Sequence, residues 1–259
     1  MNAVGQPPPV LQVSGWERMS GLLHGFYGRR GGVSRTPYAT LNVSRRSGDA
    51  PESVRENWHR VSAAVGGTVR FVTMTQVHGD RVVIVDGGSP DVGEADAMVS
   101  RLPGLALSVL TADCVPILLV APAARVVAAV HAGWRGTLHG IVTRTVERMR
   151  DLGVEAAGIR AALGPTIGGC CYEVDRSIVD ELDAAWGAVE DAARPGRSAA
   201  KAMLDLRAVN VALLRRAGVA GEQIELVGPC TKCAVTDYFS HRAAGTATGR
   251  QLSFVGWKE

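Results

Sequence analysis

An excess of charge of one sign is missing from this chain: 28 lysines and arginines face 25 aspartates and glutamates, for a net charge of +3. The basic residues are scattered rather than gathered into a stripe, so nucleic acid is not expected as the main partner. Long uncharged apolar runs are missing too. The most apolar stretch, Leu102 to Ala124, is cut by Asp113 into pieces well short of the roughly 18 residues a membrane helix requires, and no membrane span is expected. The N-terminal MNAVGQPPPVLQVSG lacks the basic start and sustained apolar stretch of a secretion signal, which points to the cytoplasm. A paired cysteine framework is lacking as well. Five cysteines, among them the adjacent Cys170 and Cys171 and the CxxC pair Cys230 and Cys233, suit thiols kept reduced for metal binding or packing. Repeats and low-complexity tracts are absent, and nothing resembles a coiled coil or a duplicated interface, so a monomer is expected.

What the chain does have is core material. Its 259 residues are 46% apolar, enough for one large domain. Residues 1–15, with three consecutive prolines, read as a loose lead-in to a single domain over 16–259. Short runs predict strands at Arg81–Asp86, Leu105–Thr111, Val115–Val120 and Arg125–His131, and their continuous apolar character predicts burial on both faces. Leu138, Ile141, Val142, Thr145, Val146, Met149 and Leu152 repeat at helical spacing, which predicts a helix directly after HAGWRG with Gly153 closing it. Further helices are predicted from Asp175 and from Asp205, and Ala192–Ala200 reads as a surface loop. The mixture gives an α/β or α+β domain with a sheet core.

Three segments place a metal-competent side chain at the edge of an apolar run: TQVHGD with His78, LTADCVPILL with Cys114 and AVHAGWRGT with His131. Separations of 36 and 17 residues rule out a local finger, so only a sheet can unite them. Two imidazoles and a thiolate suit zinc, and three protein ligands leave a fourth position open. The same residues also read as hydrogen-bonded histidines near turns with a buried core cysteine, or as a Cys114 nucleophile with His131 as its base.

The segments QVHGD, ADAMVS, TADCVPILL, HAGWRGT, LGPTIGGCCYEV and CT…YFSHR…TGR, in that order over roughly residues 20 to 255, resemble the YfiH-like or laccase-domain family, once called multicopper polyphenol oxidoreductases. The resemblance implies an α+β, four-layer α/β/β/α sandwich with mixed sheets, and a zinc held by His78, Cys114 and His131. It also implies phosphorolysis of purine nucleosides (adenosine, inosine, guanosine, methylthioadenosine) to free base and ribose 1-phosphate, with adenosine deamination alongside. Copper is the less suitable ion, because one His₂Cys set and six histidines in all are too few for several coppers.

Given that chemistry, Arg29 in GRRGGVS and Arg135 in HAGWRG are the candidate phosphate clamps, since a guanidinium fork bonds two oxygens at once; each also reads as a surface ion pair. Asn42 and Gln76 could read polar edges of the substrate, or cap turns. Deamination would need a proton carrier, for which Asp113 and Glu173 are the candidates, although a carboxylate beside a metal ligand also serves as a brace. A four-thiolate site is not expected: on a strand, Cys170 and Cys171 would point to opposite faces, and CCYEV reads as pocket-wall packing. His241, Trp58 and VSRRSGD depart from the family's pattern and leave the preferred nucleoside open.

Overall fold

Alternate residues of a strand face opposite ways, so a run that is apolar at every position must be covered on both sides. In the computed structural model, which describes residues 6–67, 69–87 and 89–259, this is how the central strands are used. The chain begins with β1 (Val10–Leu11), β2 (Leu22–Tyr27), α1 (Pro51–Ala64), β3 (Arg70–Thr75), β4 (Val82–Ile84), β5 (Asp91–Glu94) and β6 (Ala97–Ser100). Next come β7 (Leu105–Thr111), β8 (Val115–Ala121), β9 (Val126–Ala132), α2 (Trp134–Leu138), α3 (Ile141–Asp151), β10 (Arg160–Leu163), β11 (Glu173–Asp175) and α4 (Arg176–Trp186). The last elements are β12 (Ala193–Pro195), β13 (Lys201–Leu204), α5 (Leu206–Arg216), β14 (Ile224–Leu226), α6 (His241–Ala244) and β15 (Gln251–Trp257).

Two six-stranded mixed sheets, ordered β1-β2-β15-β7-β3-β5 and β14-β10-β8-β9-β6-β4, lie face to face; β11, β13 and β12 form a small third sheet. Between the large sheets, Phe26, Val72, Leu107, Val109 and Val255 from the first meet Leu118, Val120, Val127, Ala129 and Ala162 from the second. The alternate residues Ile117, Leu119, Ala128 and Val130 point the other way. They are covered by Ile141, Val142, Val146 and Met149 of α3, by Val179 and Leu182 of α4, and by Val209, Leu213 and Leu214 of α5. On the outer face of the first sheet, Tyr27, Leu252 and Phe254 pack with Val61 of α1 and with Leu41 and Val43. The layers are therefore α/β/β/α. Among the described residues no helix is long and apolar enough to cross a membrane.

The structure refines several sequence expectations. The helix after HAGWRG is two helices, because Gly140 takes φ 76° and separates α2, which begins inside the motif, from α3. The predicted loop Ala192–Ala200 contains β12, paired antiparallel with β13. Within the lead-in, β1 pairs with β2 and Val13 is fully buried, while residues 1–5 lie outside the described residues. Asp205 caps α5 as expected, its carboxylate accepting from the N–H groups of Arg207 and Ala208.

One buried side chain holds the long connection between β2 and α1. Asn57 of α1 is fully buried; its Oδ1 accepts from Val33 N–H at 2.9 Å, and its Nδ2 donates to Ser34 Oγ, Thr40 O and Asn42 O at 2.8, 3.1 and 2.8 Å. Truncation would remove the amide from Ser34 Oγ and Asn42 O, while Thr40 O keeps Ser34 N–H. Asn57→Ala is expected to cost about 3 kcal/mol, seen as a lower urea midpoint with an unchanged slope; a midpoint within error of the parent's would show that this connection is held by other contacts.

Candidate metal centre

The three ligand candidates converge at one end of the sandwich because of where their strands stop. β3 ends at Thr75 in the first sheet and leads into Gln76, Val77 and His78. β7 ends at Thr111, and Ala112, Asp113 and Cys114 cross to the second sheet, where β8 begins at Val115. The pairing of β8 with β9 sets Pro116 opposite His131, so Cys114 and His131 share that end. The ligand atoms of His78, Cys114 and His131 all lie within 4.8 Å of one another.

Asp96, just ahead of β6, ties the group together. This fully buried carboxylate accepts from three successive backbone N–H groups: Val77 at 3.2 Å, His78 at 3.0 Å and Gly79 at 2.7 Å. His78 has φ 60°, a left-handed conformation that costs a side-chain-bearing residue about 1–2 kcal/mol, and the bonds to Asp96 hold it there. The same carboxylate meets His131 Nδ1 at 2.7 Å. Burial would raise the carboxyl pKa, but the hydrogen bonds and charge of His131 and the backbone donors outweigh it and lower it. Asp96 is therefore an acceptor only, so Nδ1 of His131 carries the proton and Nε2 is left for an ion.

Cys114 completes the electrostatics. Burial favours the thiol, yet the charges and hydrogen bonds of His131 and His78 bring its pKa down to about 6. For His131, burial favours the neutral ring, while Cys114 and Asp96 push it up to about 9. Such a thiolate–imidazolium pair would suit a nucleophile; with the Nε2 proton of His131 displaced and His78 beside it, the three side chains could also hold a divalent cation. Room for an ion depends on Gly133 in HAGWRG: a Cβ there would come within 2.7 Å of His78 Nδ1 and 3.3 Å of Cys114 Sγ.

A family model described as multi-copper polyphenol oxidoreductase laccase matches residues 23–258. The chain belongs to that family. A protein named purine nucleoside phosphorylase from Deinococcus radiodurans is 42% identical over 234 residues, covering 90% of this chain and 88% of its own. The crystal structure of YlmD from Geobacillus stearothermophilus superposes with a TM-score of 0.88 at 33% identity, covering 98% of this chain and all of the other. YfiH from Bacillus licheniformis gives a TM-score of 0.90 at 31% identity, covering 98% of each chain. The α+β architecture implied by the family resemblance is the one observed.

The metal group opens into a cavity of about 500 Å³ that brings together some of the sequence candidates and not others. Asp113 lines it, at φ 98°, with both carboxylate oxygens engaged: Oδ1 accepts from Thr231 Oγ1 at 2.5 Å and Oδ2 from Arg242 N–H at 2.6 Å. Gln76 also lines it, but its amide is spent bridging β3 to the N–H and C=O of Leu110. Asn42 lies behind the wall, bonding Ser44 N–H, Ser47 Oγ and Arg250 N–H. Glu173, Arg29 and Arg135 are not among the lining residues. Glu173 Oε1 accepts from Arg197 N–H, the Arg29 guanidinium bonds Ala39 O and Val235 O and lies over Phe239, and Arg135 is stacked on Trp134.

In their place the cavity is lined by Arg46, Arg242 and Arg250, with Tyr172, Thr111 and Ser44. All six stand in segments that the sequence singled out, though not as site residues: Ser44 and Arg46 in VSRRSGD, Thr111 in TADCVPILL, Tyr172 in CCYEV, Arg242 in YFSHR and Arg250 in TGR. For Asp96 the signal was ADAMVS, a segment whose chemistry appears only once β6 is seen beside β9.

The dependence on Asp96 can be measured. Asp96→Asn keeps the shape but removes the charge and the fixed tautomer of His131, so metal affinity by chelator competition should fall about 10–100-fold with the circular dichroism unchanged. Parent-like affinity would mean that His131 is oriented without the carboxylate.

Proposed function

We propose that the chain is a zinc-dependent purine nucleoside phosphorylase, with adenosine deamination as a second reaction of the same cavity. The observation that carries this reading is one pocket holding the His78, Cys114 and His131 donor set beside Arg46, Arg242 and Arg250, in a chain whose relatives are named purine nucleoside phosphorylase. Zinc held by those three residues would supply a Lewis acid for negative charge that develops during the reaction.

The rest of the work falls to the chain's own groups. Arg250 is half-buried, and Nη1 is held by Thr248 O and Gly249 O at 3.0 and 2.9 Å, which aims the guanidinium and leaves its other donors for a phosphate. Arg242, anchored by Glu173 O and lying over Tyr172, supplies a second cation, and Arg46 a third at the exposed rim. Met74, Leu110, Ile167 and Leu206 give apolar surface for a purine. Thr111 Oγ1, buried and without a partner, offers a hydrogen bond to a bound nucleoside. Asp113 acts as a positioning residue, because its two oxygens already fix Thr231 and the start of α6.

Incubation of zinc-loaded protein with adenosine, with and without phosphate, tests this. Free adenine and ribose 1-phosphate should form only with phosphate, and Cys114→Ala should abolish both. Arg250→Ala should lower the rate at saturating nucleoside by about 10²-fold, as for loss of one donor to a developing anion, and raise the KM for phosphate. Inosine as sole product would assign the cavity to deamination alone, and turnover retained in Cys114→Ala would remove the metal from the reaction.

A further inference from the structure

A second set of metal-competent side chains lies outside the cavity. The sulfurs of Cys170, Cys171, Cys230 and Cys233 are all within 4.8 Å of one another, and Cys233 Sγ is 3.5 Å from Cys171 Sγ and 3.7 Å from Cys170 Sγ. Disulfide sulfurs sit about 2.05 Å apart. Four thiolates around one zinc, with bonds of about 2.3 Å, sit about 3.8 Å apart along each edge of the tetrahedron. The separations of Cys233 Sγ from the other two sulfurs are too long for a disulfide and close to that tetrahedral edge.

The backbone explains how neighbouring cysteines can face one ion. Cys170 and Cys171 occupy a turn, not a strand: the N–H groups of Cys171 and Tyr172 both return to Gly168 O, at 2.9 and 3.0 Å. The alternation that separates adjacent side chains on a strand does not apply there, which removes the ground on which the sequence argued against a shared ion. The second turn closes through Ala234 N–H to Cys230 O at 3.0 Å, and Thr231 N–H to Thr166 O at 3.0 Å holds the two turns side by side. Gly168 N–H donates to Cys230 Sγ at 3.3 Å, the kind of backbone contact that stabilises a thiolate ligand. Arg197, Lys232 and Arg242 border the cysteines on one side and Arg194 and Arg207 on the other, cations suited to the double negative charge of a zinc with four thiolates.

We propose that Cys170, Cys171, Cys230 and Cys233 bind a second, structural zinc that staples these two turns together. The wall of the cavity is built on the stapled residues. Tyr172, next to Cys171, lines the cavity, and Thr231, next to Cys230, donates to Asp113. The ion would therefore hold the wall in place from behind, with no open coordination position of its own.

Metal content and spectroscopy of the full chain in reducing buffer test this. The parent should carry two equivalents of zinc, Cys114→Ala one, and Cys114→Ala with Cys233→Ser none. Cobalt in Cys114→Ala should give the intense thiolate charge-transfer and tetrahedral ligand-field bands of a four-sulfur site. That reading does not depend on whether the Cys233 variant folds. In the same zinc-loaded Cys114→Ala protein, the four remaining thiols should resist alkylation until a strong chelator is added. Absence of zinc and cobalt from Cys114→Ala, iron in place of zinc, or an intact mass lower by two hydrogens from a disulfide would each overturn the proposal.

Discussion

The site depends on one buried carboxylate. Asp96 has no exposure to solvent, and a charge in that position is tolerated only when donors surround it. Here the donors are three consecutive backbone N–H groups of the turn after β3 and the imidazole of His131 at the end of β9. The dependence runs both ways. Without the carboxylate, the left-handed backbone at His78 loses what holds it, and the ring of His131 can swing or exchange its proton between nitrogens. Asp96 also lies where the two sheets meet: its own C=O accepts from His131 N–H, beside the β6–β9 pairing. A strand of the first sheet and two of the second are thereby locked to a common point, and the cavity opens from it.

What could be read from sequence follows from the range of the forces concerned. The local signal is strong in Leu105–Thr111, Val115–Val120 and Arg125–His131, which are apolar nearly throughout, and these segments are strands within a residue of the boundaries expected. Asp205 with Gly218 likewise framed α5, because a cap acts within one turn of helix. The convergence of His78, Cys114 and His131 was legible because side chains with few alternative uses stand at strand ends. Arginines are different. A guanidinium reaches several ångströms and bonds any carbonyl within reach, so Arg29 serves Ala39 O and Val235 O while Arg250, distant in sequence, faces the cavity. The paired cysteines were misjudged by assigning them to a strand; whether adjacent side chains diverge depends on backbone dihedrals, and Cys170 and Cys171 lie in a turn closed on Gly168 O.

The family's descriptive name points to several coppers, and the side chains count against it. Among the described residues two groups can hold a metal, one with two histidines and a cysteine and one with four cysteines. Of the remaining histidines, only His241 lines the cavity, and His24 Nε2 is occupied by Val13 N–H. A cluster of coppers requires more imidazoles than this cavity presents. One metal-competent group beside three cavity-lining arginines is what the side chains offer, in keeping with the general rule that chemistry resides in the site and not in the fold.

How the cavity arginines are held bears on what they recognise. Outside the cavity, Arg29 and Arg150 bond backbone carbonyls, and other arginines are paired with carboxylates, as in Arg30 with Asp237 at 2.5 Å and Arg144 with Asp80 at 3.1 Å. Arg242 and Arg250 are fixed by neutral backbone carbonyls, and among the described residues neither they nor Arg46 forms an ion pair with a carboxylate. A carbonyl orients a guanidinium without cancelling its charge. Burial lowers the pKa of Arg250, while the negative charges of Cys114 and Asp113 act to raise it, which places its cation within electrostatic reach of the metal group. Positive charge oriented but not neutralised, at the mouth of a partly desolvated cavity, is stabilised further by an anion that arrives with the substrate. A phosphate meets that need with oxygens matched to the guanidinium fork.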